Sequence, residues 1–187
     1  MLDTEARRLM DHWHAQKSGR EIPLRMKMDP VALGPALRAI FLLDVLNVDH
    51  LSIRLACTRL CELYGRELKG ANFLEFWRGD CRRTVRALVS NLISLPAGGI
   101  LDSQVEFLRG RPANAHFLLL PVADAHGEAT QLICAASASP RPHMSGDAPV
   151  VRQVLRSVRL IDPDLLDATS RSEAIAAILR FPLQTRH

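Results

Sequence analysis

The sequence predicts an α+β fold in which five short antiparallel strands are combined with helices. Three observations carry the prediction. Five short runs either alternate apolar and polar side chains or are apolar throughout, which are the two signatures of a strand. Within each group the runs are joined by short turns that leave no room for a crossover helix, so neighbours run antiparallel. Residues 2–16 and 80–95 instead carry apolar side chains at helical spacing.

The totals set outer limits. A chain of 187 residues suits one ordinary domain with extensions. With 48% hydrophobic and 24% charged residues it is composed like a folded protein rather than a disordered one. Aromatic residues make up 5%, which argues against an aromatic cage or a stacking platform for bases. The net charge of +4 arises from 24 basic and 20 acidic residues that are interspersed, so it permits an anionic partner without demanding one. Cys57, Cys61, Cys81 and Cys134 form no Cys-x-x-Cys pair. The opening MLDTEARRLM has early acids and no apolar core, unlike a secretory signal. No run approaches the ~18 apolar residues of a membrane span. The expectation is a soluble, cytoplasmic protein with reduced thiols.

Taken in order, residues 2–16 form an amphipathic helix with Leu2, Ala6, Leu9, Met10 and Trp13 on one stripe. That stripe packs on its own domain or, in the sharper reading, offers Leu9, Met10 and Trp13 to a dimer partner. Residues 20–30 link onward. Asp29-Pro30 starts a short helix over 31–39 that Pro35 breaks. Ile40–Leu46 and Leu51–Ala56 are strands joined as a hairpin, with Leu51, Ile53 and Leu55 on one face and Ser52 and Arg54 on the other. Thr58–Tyr64 is a short helix, and Asn72 caps a further turn that holds Phe73, Phe76 and Trp77. Asp80 caps the long interior helix, which ends at Pro96 and Gly98-Gly99. Ile100–Leu108, Asn114–Val122 and Ala129–Ser137 complete the strands. The middle run is apolar on both faces. One face must meet the helices, and the other must be covered by the N-terminal helix or by a second subunit. After a Pro- and Ser-rich linker, Val150–Ile161 reads as a short amphipathic helix, with a strand towards its end as the alternative. A capping box at Ser170–Glu173 opens a last helix carrying Ile175, Ile178 and Leu179. The organisation expected is an N-terminal helix over 1–19, a domain over 20–138, and a linker with a C-terminal helical tail over 139–187.

Several strings within this order are shared with a known family. They are Ile22-Pro23, Asp29-Pro30, Arg54-Leu55-Ala56-Cys57-Thr58-Arg59-Leu60-Cys61, Tyr64-Gly65-Arg66-Glu67-Leu68-Lys69-Gly70, Asn72-Phe73, Trp77 and Leu118-Leu119-Leu120-Pro121. Together they resemble the single-domain PAS family described in alphaproteobacteria, the fifth of the PAS sequence families. The resemblance runs from about Trp13 to Ser137. It departs at Cys57, where glycine is expected and a side chain would crowd the turn. It implies a five-stranded antiparallel sheet with helices crossing one face. It also implies a sensory or regulatory role without enzymatic activity, often as a dimer.

The chemistry-bearing residues also fit plainer roles. His12 and His14 point to different sides of a helix, and Cys57 and Cys61 have no third or fourth ligand nearby, so no metal site is expected. The interior helix has no histidine to hold haem, which leaves only His116, better read as a core or edge residue. Cys81-Arg82-Arg83 lacks the continuation of a flavin photoreceptor motif. Haem and flavin are therefore not expected, and any cofactor is unknown. No G-x-S-x-G, H-E-x-x-H or phosphate-binding loop occurs. The arginine stripes Arg82/Arg83/Arg86 and Arg152/Arg156/Arg159 read as solvated helix faces or as an anion site. Nucleic-acid binding is the weakest reading, for want of a motif or interleaved aromatics. Arg54 needs a carboxylate such as Asp44 or Glu106, or else a bound anion.

These readings converge on a non-enzymatic, cytoplasmic regulatory module. It binds a small molecule or anion, or a protein, and signals to a separate protein by changing dimer or partner contacts. The expected pocket residues are Arg54, Cys57, Tyr64, Phe73, Trp77, Phe107, His116, Leu118 and Cys134. The alternatives are a ligand-free dimerisation adaptor and a small α+β-barrel enzyme.

Overall fold

The computed structural model describes residues 3–95, 97–139 and 149–161. Helix α1 spans Thr4–Ala15, with Asp3 as its N-cap: the Asp3 carboxylate accepts from the Ala6 amide at 2.8 Å. Helix α2 is only Pro30–Leu33. Asp29 caps it through the Val31 amide, and at Gly34 the chain passes into a 3-10 segment, Gly34–Ala39. Strands β1 (Ile40–Asn47) and β2 (His50–Leu55) form the hairpin. Helix α3 (Thr58–Tyr64) ends on Gly65 in the left-handed region, φ 65°, the usual glycine C-cap. A 3-10 turn at Phe73–Phe76 leads to helix α4, Gly79–Ser94. Strands β3 (Gly98–Phe107), β4 (Ala113–Ala123), β5 (Ala129–Ser139) and β6 (Val150–Ile161) follow. The result is one antiparallel sheet in the order β2-β1-β5-β4-β3-β6.

Side chains of the sheet feed two cores. Phe117 and Leu119 of β4 point inward with Phe41, Leu43 and Leu132, under α3 and α4. Leu118, Leu120 and Val122 point outward with Ile100, Ile133 and Ala135, under α1. The doubly apolar β4 is thus covered on both faces, and its outer cover is the chain's own N-terminal helix. At the head of β3, Gly99 lets α4 approach: an added Cβ would lie 3.0 Å from Leu92 Cδ1 and 3.1 Å from Leu88 Cδ2.

Four details differ from the sequence expectation. Among the described residues the sheet has six strands rather than five, because Val150–Ile161 is not a helix: it pairs along the whole of β3. A bulge at Arg156 explains the misreading. Before it Gln153 and Leu155 face inward, and after it Val158 and Leu160 do, so the apolar spacing imitates a helix. A second bulge, at Arg54, turns Leu55 away from Leu51 and Ile53 and leaves it half exposed. Asp80 lies in the first turn of α4, whose N-cap is Arg78. Cys57 is extended, at φ −85° and ψ 158°, so it needs no glycine, and its thiol goes into the inner core. The expected helix after Ser170 lies outside the described residues.

Candidate functional site

The outer face holds the richest polar chemistry. Helix α1 buries Leu9 and Trp13 completely and Met10 almost so. Trp13 Nε1 donates to the Pro121 carbonyl at 2.7 Å, a buried bond from helix to central strand. The three residues expected at a dimer contact are therefore used against the chain's own sheet.

Beside the first turn of α1 the sheet opens into a cleft of about 590 Å³. Its origin lies in the strand register. The β1–β5 ladder ends at Ile40 opposite Ala135, whereas β5 runs on to Ser139, paired among the described residues with β4 alone. The free side of Ala136–Ser139 forms one wall. Thr58, Arg59, Glu62 and Leu63 of α3 form another, Arg38 a third, and Asp3, Thr4 and Glu5 of α1 the fourth. Glu5 Oε1 accepts from Arg59 Nη2 at 2.5 Å and from Arg38 Nη2 at 3.0 Å. Arg59 Nη1 lies 3.6 Å from Asp3 Oδ2. Arg59 and Glu5 are largely buried, while Arg38 is exposed.

Burial alone would raise the Glu5 carboxyl. The hydrogen bonds from Arg59 and Arg38 outweigh it and hold the group below its ordinary value of 4.5. A carboxylate with a depressed folded pKa stabilises above its unfolded value and loses that contribution as pH falls through the folded one. Acid is therefore expected to loosen α1. In urea titrations at about pH 7 and about pH 3, wild type should lose more stability on acidification than Glu5→Gln, which has no charge to lose there.

His116 reaches the same cleft from β4. Its Nδ1 lies 2.7 Å from Asp102 Oδ1 on β3, while Asp102 Oδ2 accepts from Ser157 at 2.5 Å and from Arg159 at 3.1 Å, both on β6. Burial would push the Asp102 carboxyl up, but the bonds from Ser157 and His116, with the Arg159 guanidinium, bring it below its usual value. One carboxylate thus ties β4, β3 and β6 together.

The expected pocket residues do not meet in one place. Tyr64, Phe73, Trp77, Cys57 and Cys134 belong to the inner core, with Phe107 packed at its margin. There Phe73 lies edge-on to Trp77 and Phe117 at centroid distances of 6.0 and 5.8 Å, and Tyr64 stacks on Phe76 at 4.1 Å. The Tyr64 hydroxyl donates to Gln153 of β6, and Gln153 Nε2 donates to Ser103 at 3.1 Å, a buried polar chain from α3 to the far edge of the sheet. Leu118 and His116 lie on the opposite, outer face. Arg54 lies at the exposed β1–β2 edge, 3.4 Å from Asp44. The sequence reading missed Glu5, Arg38, Arg59 and Asp102. Asp102 was within reach, since counting back equally from the Arg109-Gly110 turn sets it opposite His116. No periodicity links residue 5 to residue 59.

The core thiols are chemically quiet. Burial pushes Cys57 up to about 11 and Cys134 well above the ordinary thiol value. Both stay protonated at neutral pH, where the thiol is a poor nucleophile. Iodoacetamide labelling followed by mass spectrometry should modify the part-exposed Cys81 first, and reach Cys57 and Cys134 only as fast as the chain opens. Among the described residues no group of His, Cys, Asp and Glu is placed to hold a metal ion.

The two-sided sheet, with helices α3 and α4 on one face, is the architecture of a sensory and regulatory PAS module. The family model described as PAS domain matches residues 1–136, from α1 into β5, and the chain belongs to that family. A search of curated proteins finds no match. Among solved structures, an RNA-binding light-oxygen-voltage receptor is similar at 22% identity and a TM-score of 0.43, over 62% of this chain and 35% of that one. A variant of RsLOV is similar at 20% identity and a TM-score of 0.37, over 58% of this chain and 64% of that one. The chain thus spans about a third of the first and just under two thirds of the second. No helix among the described residues is long and apolar enough to cross a membrane.

Proposed function

We propose that the protein is a non-enzymatic regulatory module that signals through docking and release of α1 on the outer face of its sheet. The observation behind this reading is the construction of that helix. An apolar stripe, Leu9, Met10 and Trp13, covers an otherwise exposed apolar face, and ion pairs to Arg59 and Arg38 hold its first turn. Release would expose Ile100, Leu118, Leu120 and Ile133 together, a surface suited to a second copy. The inner face is occupied by aromatic rings, so a ligand is better placed at the α1 cleft than among Tyr64, Phe73 and Trp77.

The test uses the full chain and its Leu9→Asp variant, which puts a charge under α1. Sedimentation velocity should show the variant self-associating as concentration rises, with Cys57 still protected from alkylation. A variant that keeps its inner core and stays monomeric with the outer face uncovered would sink the reading. Met10→Gln, a milder loosening, serves if Leu9→Asp does not fold.

One observation favours a hydrolytic reading as second choice. Asp102, His116 and Ser137 are successive neighbours across β3, β4 and β5. It ranks lower because Asp102 is shared with Ser157 and Arg159, the bonding of a strand clamp rather than of a group dedicated to orienting a base.

A further inference from the structure

Glu5 sits in the cleft in the way a ligand would. Its carboxylate is held by two guanidiniums that belong to other parts of the chain: Arg38 to the 3-10 segment before β1, and Arg59 to α3. Only the acid travels with α1. If α1 moves away, Asp3 leaves with it, because Asp3 caps that helix. Both arginines then lose these acidic partners; with α1 docked, the cleft they line already measures about 590 Å³. That volume lies within the range of small-molecule sites, ~300–1,000 Å³.

We propose that this cleft binds a small organic monocarboxylate, which takes the place of Glu5 on Arg38 and Arg59. The chemistry of the walls narrows the class. A carboxylate matches the group already seated there, and arginine pairs with it through directed N–H bonds. Leu63, Ala136 and Ala138 offer the remainder of the ligand apolar contact. Glu62, exposed on the same wall, disfavours a second negative charge, so dicarboxylates and phosphates bind less well. Glu5 is a tethered competitor, present at an effective concentration on the order of millimolar. The ligand must outbid it, so removing Glu5 raises the apparent affinity. Displacement also unpins the first turn of α1. This consequence rests on the α1-release reading above, whereas binding itself does not.

The experiment is chemical rescue of the full-length Glu5→Ala chain by propionate, which restores the lost carboxylate with one further carbon for the apolar wall. Propionamide and sodium chloride at matched ionic strength are the controls. Propionate should raise the thermal midpoint of Glu5→Ala saturably, as a ligand of the folded state does. Half-saturation should come at a concentration at least tenfold below that needed for wild type. 4-Methylpentanoate should bind more tightly than propionate, and the Glu5→Ala/Arg59→Met chain should respond to neither. Glu5→Gln serves if Glu5→Ala does not fold. Equal responses to propionate and propionamide, or a response that survives the loss of Arg59, would overturn the proposal. Saturable binding to wild type with unchanged hydrogen exchange in α1 would uphold the site and overturn the release reading instead.

Discussion

Trp13→Ala is expected to undock α1 while leaving the inner core folded. Trp13 is fully buried, and its indole N–H satisfies the Pro121 carbonyl. Truncating a buried tryptophan costs about 3–5 kcal/mol when the whole fold must absorb the loss. Here the loss has a ceiling. Helix α1 is joined to the rest through the linker before α2 and belongs to the outer cluster, so the chain can give up the helix rather than unfold. The measured cost should therefore stop at the docking free energy of α1. In hydrogen exchange the amides of α1 should lose protection, while those of β4 and β5 keep most of theirs. Trp13→Phe separates the two contributions. It keeps most of the apolar body but leaves the Pro121 carbonyl without this donor, and should cost about 1–3 kcal/mol. If Trp13→Ala instead lowered protection equally in α1 and β4, the helix would be part of one cooperative unit, and docking could not serve as a signal.

Local patterns and distant contacts differed in how far they could be read. Asp29, Asn72 and the turn residues act within a few positions, and each was legible because capping is a property of adjacent residues. The covered outer face was legible because β4 is apolar on both sides, which no exposed strand tolerates. Asp44 was one of two carboxylates the sequence offered to Arg54, and the hairpin brings it to 3.4 Å. The bulges at Arg54 and Arg156 were not legible. One added residue inverts every later side chain, and nothing in the composition marks where it is added. That inversion hid a whole strand in β6. The pocket residues divide between two faces through parity of another kind: His116 and Leu118 were grouped with Phe73 and Trp77, although neighbours of Phe117 and Leu119 along β4 face the opposite side. The Glu5–Arg59–Arg38 cluster was out of reach because it depends on how α1, α3 and the 3-10 segment pack.

Phe117→Ala should have the largest effect on global stability, and it bears on where a ligand can sit. The ring lies edge-on to Phe41, Phe73 and Trp77, at 6.4, 5.8 and 6.0 Å. Phe41 comes from β1, while Phe73 opens and Trp77 closes the 3-10 turn before α4, so none can move in without dragging its own segment. Poor collapse puts the cost towards the upper end of the about 3–5 kcal/mol seen for buried phenylalanine. Unlike α1, β4 is central in the sheet and has no way to leave it, so the urea midpoint and all core amides should fall together. The space left is lined by apolar rings, and a cavity of that kind stays dry and takes benzene or xenon. The expected result is saturable stabilisation of Phe117→Ala by benzene and none of wild type. If wild type responded as strongly, the inner face would already hold room for a ligand, and the site would have to be sought there. With benzene confined to the variant, the rings of the chain itself occupy the inner face. The proposed site at the cleft formed by α1, Arg38 and Arg59 then has no rival on the inner face.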